Sequence, residues 1–488
     1  MEMASEQQPA NSTEVTIVTS TTPSSRAKGL VWFGSLILVG LCIAIICIVL
    51  LRSSEEEENN NNGVTIIVDR QGYYTYLLNT YSPLPNTPQD QAIEWLAFQD
   101  EPLSGDELLS RLDQRYALVV LYYAHGGTST WNSINDSSGS GWINSGAGVH
   151  ECEWKGVDCN NNNINAARQI TGLRLSAEQG ILLTGSQLST EIGSYLTQLQ
   201  SLYMADQRLQ GSIPSDWKTL TNLVILDLSN NEIRSTIPDF FGEFDDLQAL
   251  LLGGNLLSGS IPATLADSNI ERLELHFNLG IKGRIEELLT SMPKLTYLDV
   301  SSTSFSGVLP STQVQKLQEL HALGSDVSGT VPSEISTWSS LVNLNIGHSH
   351  ITGTIPSEFG LLPNLEGINL SYLSMEGTLP TELSRLDSLS SLELRSSSFV
   401  GTLPTEYGQL KDLIVFDLAL NGEINGGVPR EYGNMESLKI LYLHGTSLSG
   451  TIDPAMCLLH MIHFTADCLE RRAVELDCNC CTECYNLP

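Results

Sequence analysis

The chain has 488 residues, 41% of them hydrophobic, with 24 basic and 56 acidic side chains and a formal charge of −32. Lysine and arginine are too few and too dispersed to neutralise a phosphate backbone, which excludes nucleic acid as a partner. The apolar content is too regular for a disordered chain.

From the N-terminus, residues 1–29 are rich in Ser and Thr and read as a disordered tail. Leu30 to Leu51 then runs without a charge, long enough to cross a hydrocarbon core of ~30 Å as a helix. Arg26 and Lys28 precede the run, and Arg52 with Glu55-Glu56-Glu57-Glu58 follows it. The positive-inside rule therefore predicts a retained signal-anchor, with the N-terminus cytosolic and everything after residue 52 extracellular or lumenal. The expected location is the plasma membrane or another secretory-pathway membrane. A tail this short holds no catalytic domain, and neither kinase nor Walker signatures occur in the chain.

Residues 52–88 open with SSEEEENNNNG and continue with Tyr73, Tyr74, Tyr76 and Pro83, Pro85 and Pro88, which predicts a linker of extended or irregular chain. Over 89–165 a helical cap is expected. Ile93, Leu96 and Ala97 share one helical face, and Leu108, Leu109, Leu112, Tyr116, Val119, Val120 and Tyr123 mark a second helix. Ser104 and Glu107 fit a capping box, and Gly126-Gly127 ends the pattern. Trp131, Trp142 and Trp154 supply aromatic anchors.

A repeat fills 166–454. A hydrophobic-Pro pair recurs at Ile213-Pro214, Ile237-Pro238, Ile261-Pro262, Leu309-Pro310, Val331-Pro332, Ile355-Pro356, Leu379-Pro380, Leu403-Pro404 and Val428-Pro429, mostly at intervals of 24 residues. Ahead of each lies an LxxLxL segment whose central residue is Leu173, Leu202, Leu226, Leu250, Leu273, Leu298, Leu320, Leu344, Ile368, Leu392, Phe416 or Leu441. Alternation sends the two apolar residues of LxL inward, so one repeat cannot cover its own core and stacked repeats can. The expected fold is an α/β-type repeat solenoid, with about twelve parallel strands on a concave face. Asn231, Asn255, Asn278 and Asn421 should satisfy buried backbone groups where the chain turns inward, with Thr303, Ser325, Ser349, Ser397 and Thr446 doing part of that work. Leu373 stands in the same column and cannot, which predicts a local weak point.

The string from Leu247 to Pro262, LQALLLGGNLLSGSIP, resembles the plant-type leucine-rich repeat. Cys152 to Cys159 resembles the N-terminal cap of plant leucine-rich-repeat receptor-like proteins, and Cys457 to Cys484 is similar to the cysteine-rich ends of membrane-anchored leucine-rich-repeat proteins of diatom-type algae. The resemblance implies a right-handed superhelix that recognises an extracellular peptide, protein or glycan, with a co-receptor kinase supplied in trans. The N-terminal anchor and the absence of a kinase depart from the receptor kinases of that family.

The eight cysteines outside the apolar run, Cys152, Cys159, Cys457, Cys468, Cys478, Cys480, Cys481 and Cys484, are an even set in a compartment that permits disulfides. Cys152 and Cys159 suggest one bridge, and the other six admit 15 pairings within a C-terminal cap over 455–488. Cys481-Thr-Glu-Cys484 has redox or zinc spacing but lacks the surrounding pattern of either. No GxSxG or HExxH motif occurs, so no enzyme, cofactor or metal site is expected. The candidate ligand surface is His321, Asn345, His348, Asn369 and Tyr372, a weakly charged patch beside the acidic column Asp227, Glu274, Asp299, Glu393 and Asp417. Asn135 and Asn369 are glycosylation acceptors by motif, whereas Asn11 should stay unmodified. Adhesion to wall polysaccharide, or inhibition of an extracellular hydrolase, is the alternative to a receptor role.

Overall fold

In a computed structural model the described residues are 16–20, 63–67, 70–100, 108–127, 131, 142–143, 149–160, 168–176, 181–183, 187–266, 268–468 and 476–485. The apolar run 30–51, the capping box at Ser104 and Glu107, and Asn135 lie outside them. Among the described residues no helix is long and apolar enough to cross a membrane. The chain divides into two compact units, 1–170 and 171–488.

In the first unit the sequence reading needs three corrections. Thr16–Ser20 and Gly63–Ile67, both rich in β-branched residues, pair as an antiparallel ribbon inside the expected disordered tail and linker. Helix α1, Arg70–Tyr81, replaces the extended chain expected from its tyrosines and prolines. The prolines fall at and beyond its end, where they cannot break it. Helix α2, Pro88–Phe98, starts with Thr87 accepting from the Asp90 amide and buries Ile93, Trp95 and Leu96. Helix α3, Leu108–Ala124, is buried from Tyr116 through Tyr122 on every face, which a one-face helical pattern understates.

Trp131, Trp142 and Trp154 pack edge-on or tilted at centroid distances of 4.7 and 5.3 Å. Arg115, only 2% exposed, is neutralised by Asp100 at 2.5 Å and Glu151 at 3.1 Å. Its guanidinium lies 5.4 Å from the Trp95 ring and 5.0 Å from that of Trp154. A buried cation with two carboxylates and two aromatic faces is a structural device. Cys152 bonds Cys159 at the end of this unit.

The second unit is a stack of repeats. Each expected strand centre from Leu173 to Leu441 lies in a strand, and consecutive strands pair in parallel with the centres opposite one another. The centres are almost completely buried. Past each inward turn a second parallel ladder of nine strands runs from Ser258–Ser260 to Ser447–Leu448. Beyond it, each repeat closes mostly with a 3-10 turn after its proline, as at Ser215–Thr219, Ser357–Leu361 and Thr405–Gln409. The α-helix Ile285–Ser291 stands where the hydrophobic-Pro pair is missing. This unit is therefore richer in β-structure and poorer in α-helix than an α/β label implies.

The ladder of turn residues divides by chemistry. Asn255 donates to Leu228 O at 2.9 Å and Leu252 O at 3.1 Å, and accepts from Ile233 N at 3.1 Å, tying two repeats together. Asn231, Asn278 and Asn421 repeat the arrangement. Ser325 and Ser349 instead donate locally, each to the carbonyl three residues back at 2.7 Å. Leu373 is 5% exposed at the same point, with no polar group to offer.

The C-terminal cap continues the sheet. His463–Asp467 pairs with Ile440–Tyr442, and Glu483–Tyr485 pairs with His463–Asp467. Cys457 bonds Cys480, Cys468 bonds Cys484, and Cys478 bonds Cys481. Cys481 and Cys484 thus belong to different bridges, which removes the redox or zinc reading of that pair.

A candidate recognition surface on the long sheet

Between the inward leucines, each strand from Ser201–Tyr203 onward places one residue towards the open face, half-buried except for Asp417, which is buried. In register these are Tyr203, Asp227, Leu251, Glu274, Asp299, His321, Asn345, Asn369, Glu393, Asp417 and Tyr442. The acidic column thus has a gap, a stretch three strands wide without carboxylates, filled by His321 and two asparagines. At strands ~4.8 Å apart, the three span about 10 Å.

Just past the strands, His348 and Tyr372 stack with ring centroids 4.0 Å apart and planes 18° from parallel. Both hold left-handed backbone, at φ 54° and 57°. Within the gap, His321 Nε2 is 3.0 Å from a Glu319 carboxylate oxygen, and its ring leans on Tyr297 at 5.4 Å. Asn369 donates to Glu393 at 3.2 Å and accepts from the Ser371 amide at 3.0 Å. Asn345 differs: its Oδ1 is buried and meets no donor. All five candidate residues therefore lie on or just after three consecutive strands. Asn369 donates its amide to Glu393, and Ser371 of its glycosylation motif is 5% exposed.

Charged contacts border the gap. Towards the N-terminal repeats, His276 Nδ1 is 3.2 Å from Asp299. That contact raises the imidazole above its ordinary value, outweighing burial. Burial pushes the Asp299 carboxyl up, but His276 and the Ser301 hydrogen bonds hold it below its ordinary value. Burial raises the Tyr297 hydroxyl to about 12, with help from Asp299 and Glu274. Towards the C-terminal repeats, Arg395 contacts Asp417 at 3.2 Å and His444 Nε2 at 3.1 Å. Burial lowers the His444 imidazole, and Arg395 adds to that. Glu393 is raised by burial and by Asp417. Sequence reasoning missed Arg395, Gly324 and Gly347 as parts of this surface. Their signal is positional: they fall one or two residues after their LxL segments.

Among the described residues no group of three or more His, Cys, Asp or Glu could hold a metal ion. The surface offers donors, acceptors and rings for binding.

Comparison with known proteins agrees with this architecture. Residues 197–257 and 340–362 match families described as leucine rich repeat. Receptor-like protein 41 of Arabidopsis thaliana is 28% identical over 218 residues, covering 39% of this chain and 24% of the relative. Receptor-like protein EIX1 of Solanum lycopersicum is 29% identical over 205 residues, covering 40% of this chain and 18% of the relative. This chain thus spans less than a quarter of the length of those two relatives. Among solved structures, the plant peptide hormone receptor RGFR1 in complex with RGF2 aligns with a TM-score of 0.53 and 26% identity, covering 65% of this chain and 56% of that one. A TDR receptor gives a TM-score of 0.53 at 27% identity, covering 56% and 49%. The chain carries leucine-rich repeats and is homologous, over those repeats, to plant receptor-like proteins.

Proposed function

We propose that the protein is a non-catalytic, membrane-anchored receptor-like protein whose repeats bind an extracellular ligand and which signals through a partner kinase. The observation that carries this reading is the open face of the long sheet. Its acidic border carries the charged contacts His276–Asp299 and Arg395–Asp417, while the strip between them holds a ring stack and two asparagines. The likeness to a plant peptide hormone receptor in complex with RGF2 supports it.

The anchor at 30–51 belongs to the proposal, with the N-terminus cytosolic and the repeats outside. Paired strands occupy one side of a membrane, so this topology requires the ribbon between Thr16–Ser20 and Gly63–Ile67 to open on insertion. A lone two-stranded ribbon is at best marginally stable in water, which makes that opening cheap.

Two measurements test the reading. Glycan should be found on Asn135 and not on Asn11 in protein from secretory membranes; the reverse would invert the topology. The full chain, displayed on cells, should capture a secreted ligand and then co-precipitate a kinase only when ligand is present. Constitutive retention on isolated wall material, with no kinase recruited, would replace the receptor by an adhesive protein.

A further inference from the structure

At the C-terminal end of the open face, His444 sits between two partners whose roles are fixed. The residue is 6% exposed, and its Nε2 lies 3.1 Å from Arg395 Nη2. A guanidinium has hydrogens to give and no lone pair to accept with, so Nε2 is the acceptor. The imidazole is therefore neutral. Its one N–H sits on Nδ1 and donates to the Thr465 hydroxyl at 2.6 Å. The Tyr485 ring of the last strand stacks on the same imidazole at 4.3 Å, with planes 22° apart.

The surroundings pull in both directions on the protonation of this ring. Burial opposes it most and Arg395 adds to that, which lowers the imidazole below its ordinary value. Asp417 from the long sheet, Asp467 from the first cap strand and Glu483 from the last strand favour it. Glu393 stands one strand beyond Asp417, and Tyr442 meets the ring edge-on with His463 behind it. Three carboxylates are thus at hand to hold an imidazolium once it forms.

A proton taken from solvent must land on Nε2, the atom that Arg395 occupies. Two N–H groups would then face each other, each on a cation. His444 has no room to yield, because Thr465 is 2% exposed and Tyr485 covers the ring. The Arg395 side chain is 25% exposed and keeps a second tie, from Nη1 to Asp417 at 3.2 Å. The guanidinium is the group that moves.

We propose that His444 is an acid-operated latch on Arg395: neutral, it holds the guanidinium against the C-terminal cap, and protonated, it releases it to the open face. Arg395 is also hydrogen-bonded with Tyr372, so the released group stays at the surface. The latch belongs to the chain itself and does not depend on which ligand the surface binds.

The experiment is an NMR titration of the full-length chain in detergent, isotope-labelled at histidine and arginine, from about pH 8 to about pH 4. His444 should titrate below the ordinary imidazole value of about 6.5. The Arg395 Nε–H signal should shift with the same midpoint and exchange faster with solvent on the acid side. His444→Gln keeps an amide oxygen for Arg395 to donate to but takes up no proton, so the acid shift of Arg395 should vanish in it. In Arg395→Met the His444 midpoint should rise, because the three carboxylates then act without an opposing guanidinium. An imidazole that stays neutral to about pH 4, or one that titrates while Arg395 stays unmoved, would overturn the proposal. So would an Arg395 shift that persists in His444→Gln, which would assign it to a carboxylate, or a His444 midpoint unchanged in Arg395→Met.

Discussion

Asn255 and Leu373 occupy equivalent points in two repeats, and only one of them ties its neighbours together. Asn255 is 4% exposed and serves two carbonyls and an amide. Asn255→Leu orphans the Ile233 amide, while Leu228 O and Leu252 O keep Asn231 and Asn278 as donors, and should cost about 1–3 kcal/mol, the penalty of one buried orphan. Leu373→Asn supplies the missing ties between Leu370 O, Ile346 O and Ile351 N, and should raise stability by about 1 kcal/mol. Chemical denaturation of the two variants checks the pair; a loss in Leu373→Asn would mean that its burial outweighs the ties. The column itself was legible in the sequence, but its bonding was not: the sequence does not tell that asparagine bridges repeats while Ser325 and Ser349 bond locally. The same holds for His276. Its raised pKa makes its pairing with Asp299 stabilising below the unfolded imidazole value near 6.5, and that contribution fades as pH rises through the folded value. The lowered Asp299 carboxyl removes it again on strong acidification. The pair is partly exposed, so the effect is below about 1 kcal/mol. The melting-point difference between the parent and His276→Asn should peak near about pH 5–6 and shrink by about pH 8. A difference that grows with pH would reverse the assigned protonation.

At the scale of elements, the 24-residue period fixed the strands because alternation and burial permit one register. The 3-10 turns were hidden, since five residues after a proline carry little periodicity. Their packing rests on a glycine column that the repeat pattern contains: Gly242, Gly360 and Gly408 each follow a buried aromatic, Phe241, Phe359 and Tyr407. A Cβ at these glycines would meet the backbone oxygen of the next repeat's turn at 2.1, 2.3 and 2.4 Å, from Thr264, Glu382 and Glu431. The aromatic fills the core while the glycine lets the next turn close over it. Gly360→Ala must push two repeats apart and should cost about 1–3 kcal/mol, as overpacking does. Ser357→Ala, exposed in the same turn, should change stability by less than about 0.5 kcal/mol. Equal melting points for both variants would show that the turns yield without cost. Helix α1 was illegible for a different reason: its tyrosines mark no clear face, and only Leu77 of its residues is buried.

For the whole molecule, the decisive property of a repeat stack is that each layer is held by its neighbours, so the ends govern fraying. At the C-terminal end the last layers are His463–Asp467, with Phe464 and Ala466 fully buried, and Glu483–Tyr485 lying over them. Glu483–Tyr485 has three residues, mostly exposed, and little apolar surface of its own. What keeps it in place is the Cys468–Cys484 bridge, together with Thr482, whose hydroxyl accepts from the Phe464 amide at 2.8 Å, and the Tyr485 ring stacked on His444 at 4.3 Å. Closing a loop of that length contributes about 3 kcal/mol by chain-entropy reasoning, more than three exposed residues gain from pairing. Replacing both cysteines, Cys468→Ser with Cys484→Ser, should therefore release the last strand while the Cys457–Cys480 bridge still anchors the start of the cap. Hydrogen exchange should accelerate at Phe464 to Asp467, less at Ile440–Tyr442 behind them, and not at all at Ser201–Tyr203 far down the stack. The gradient is the test: its length measures how many layers feel the loss of the cap. A uniform acceleration reaching Ser201–Tyr203 would mean that the solenoid unfolds as one cooperative block, and that its stability is not the sum of neighbouring layers.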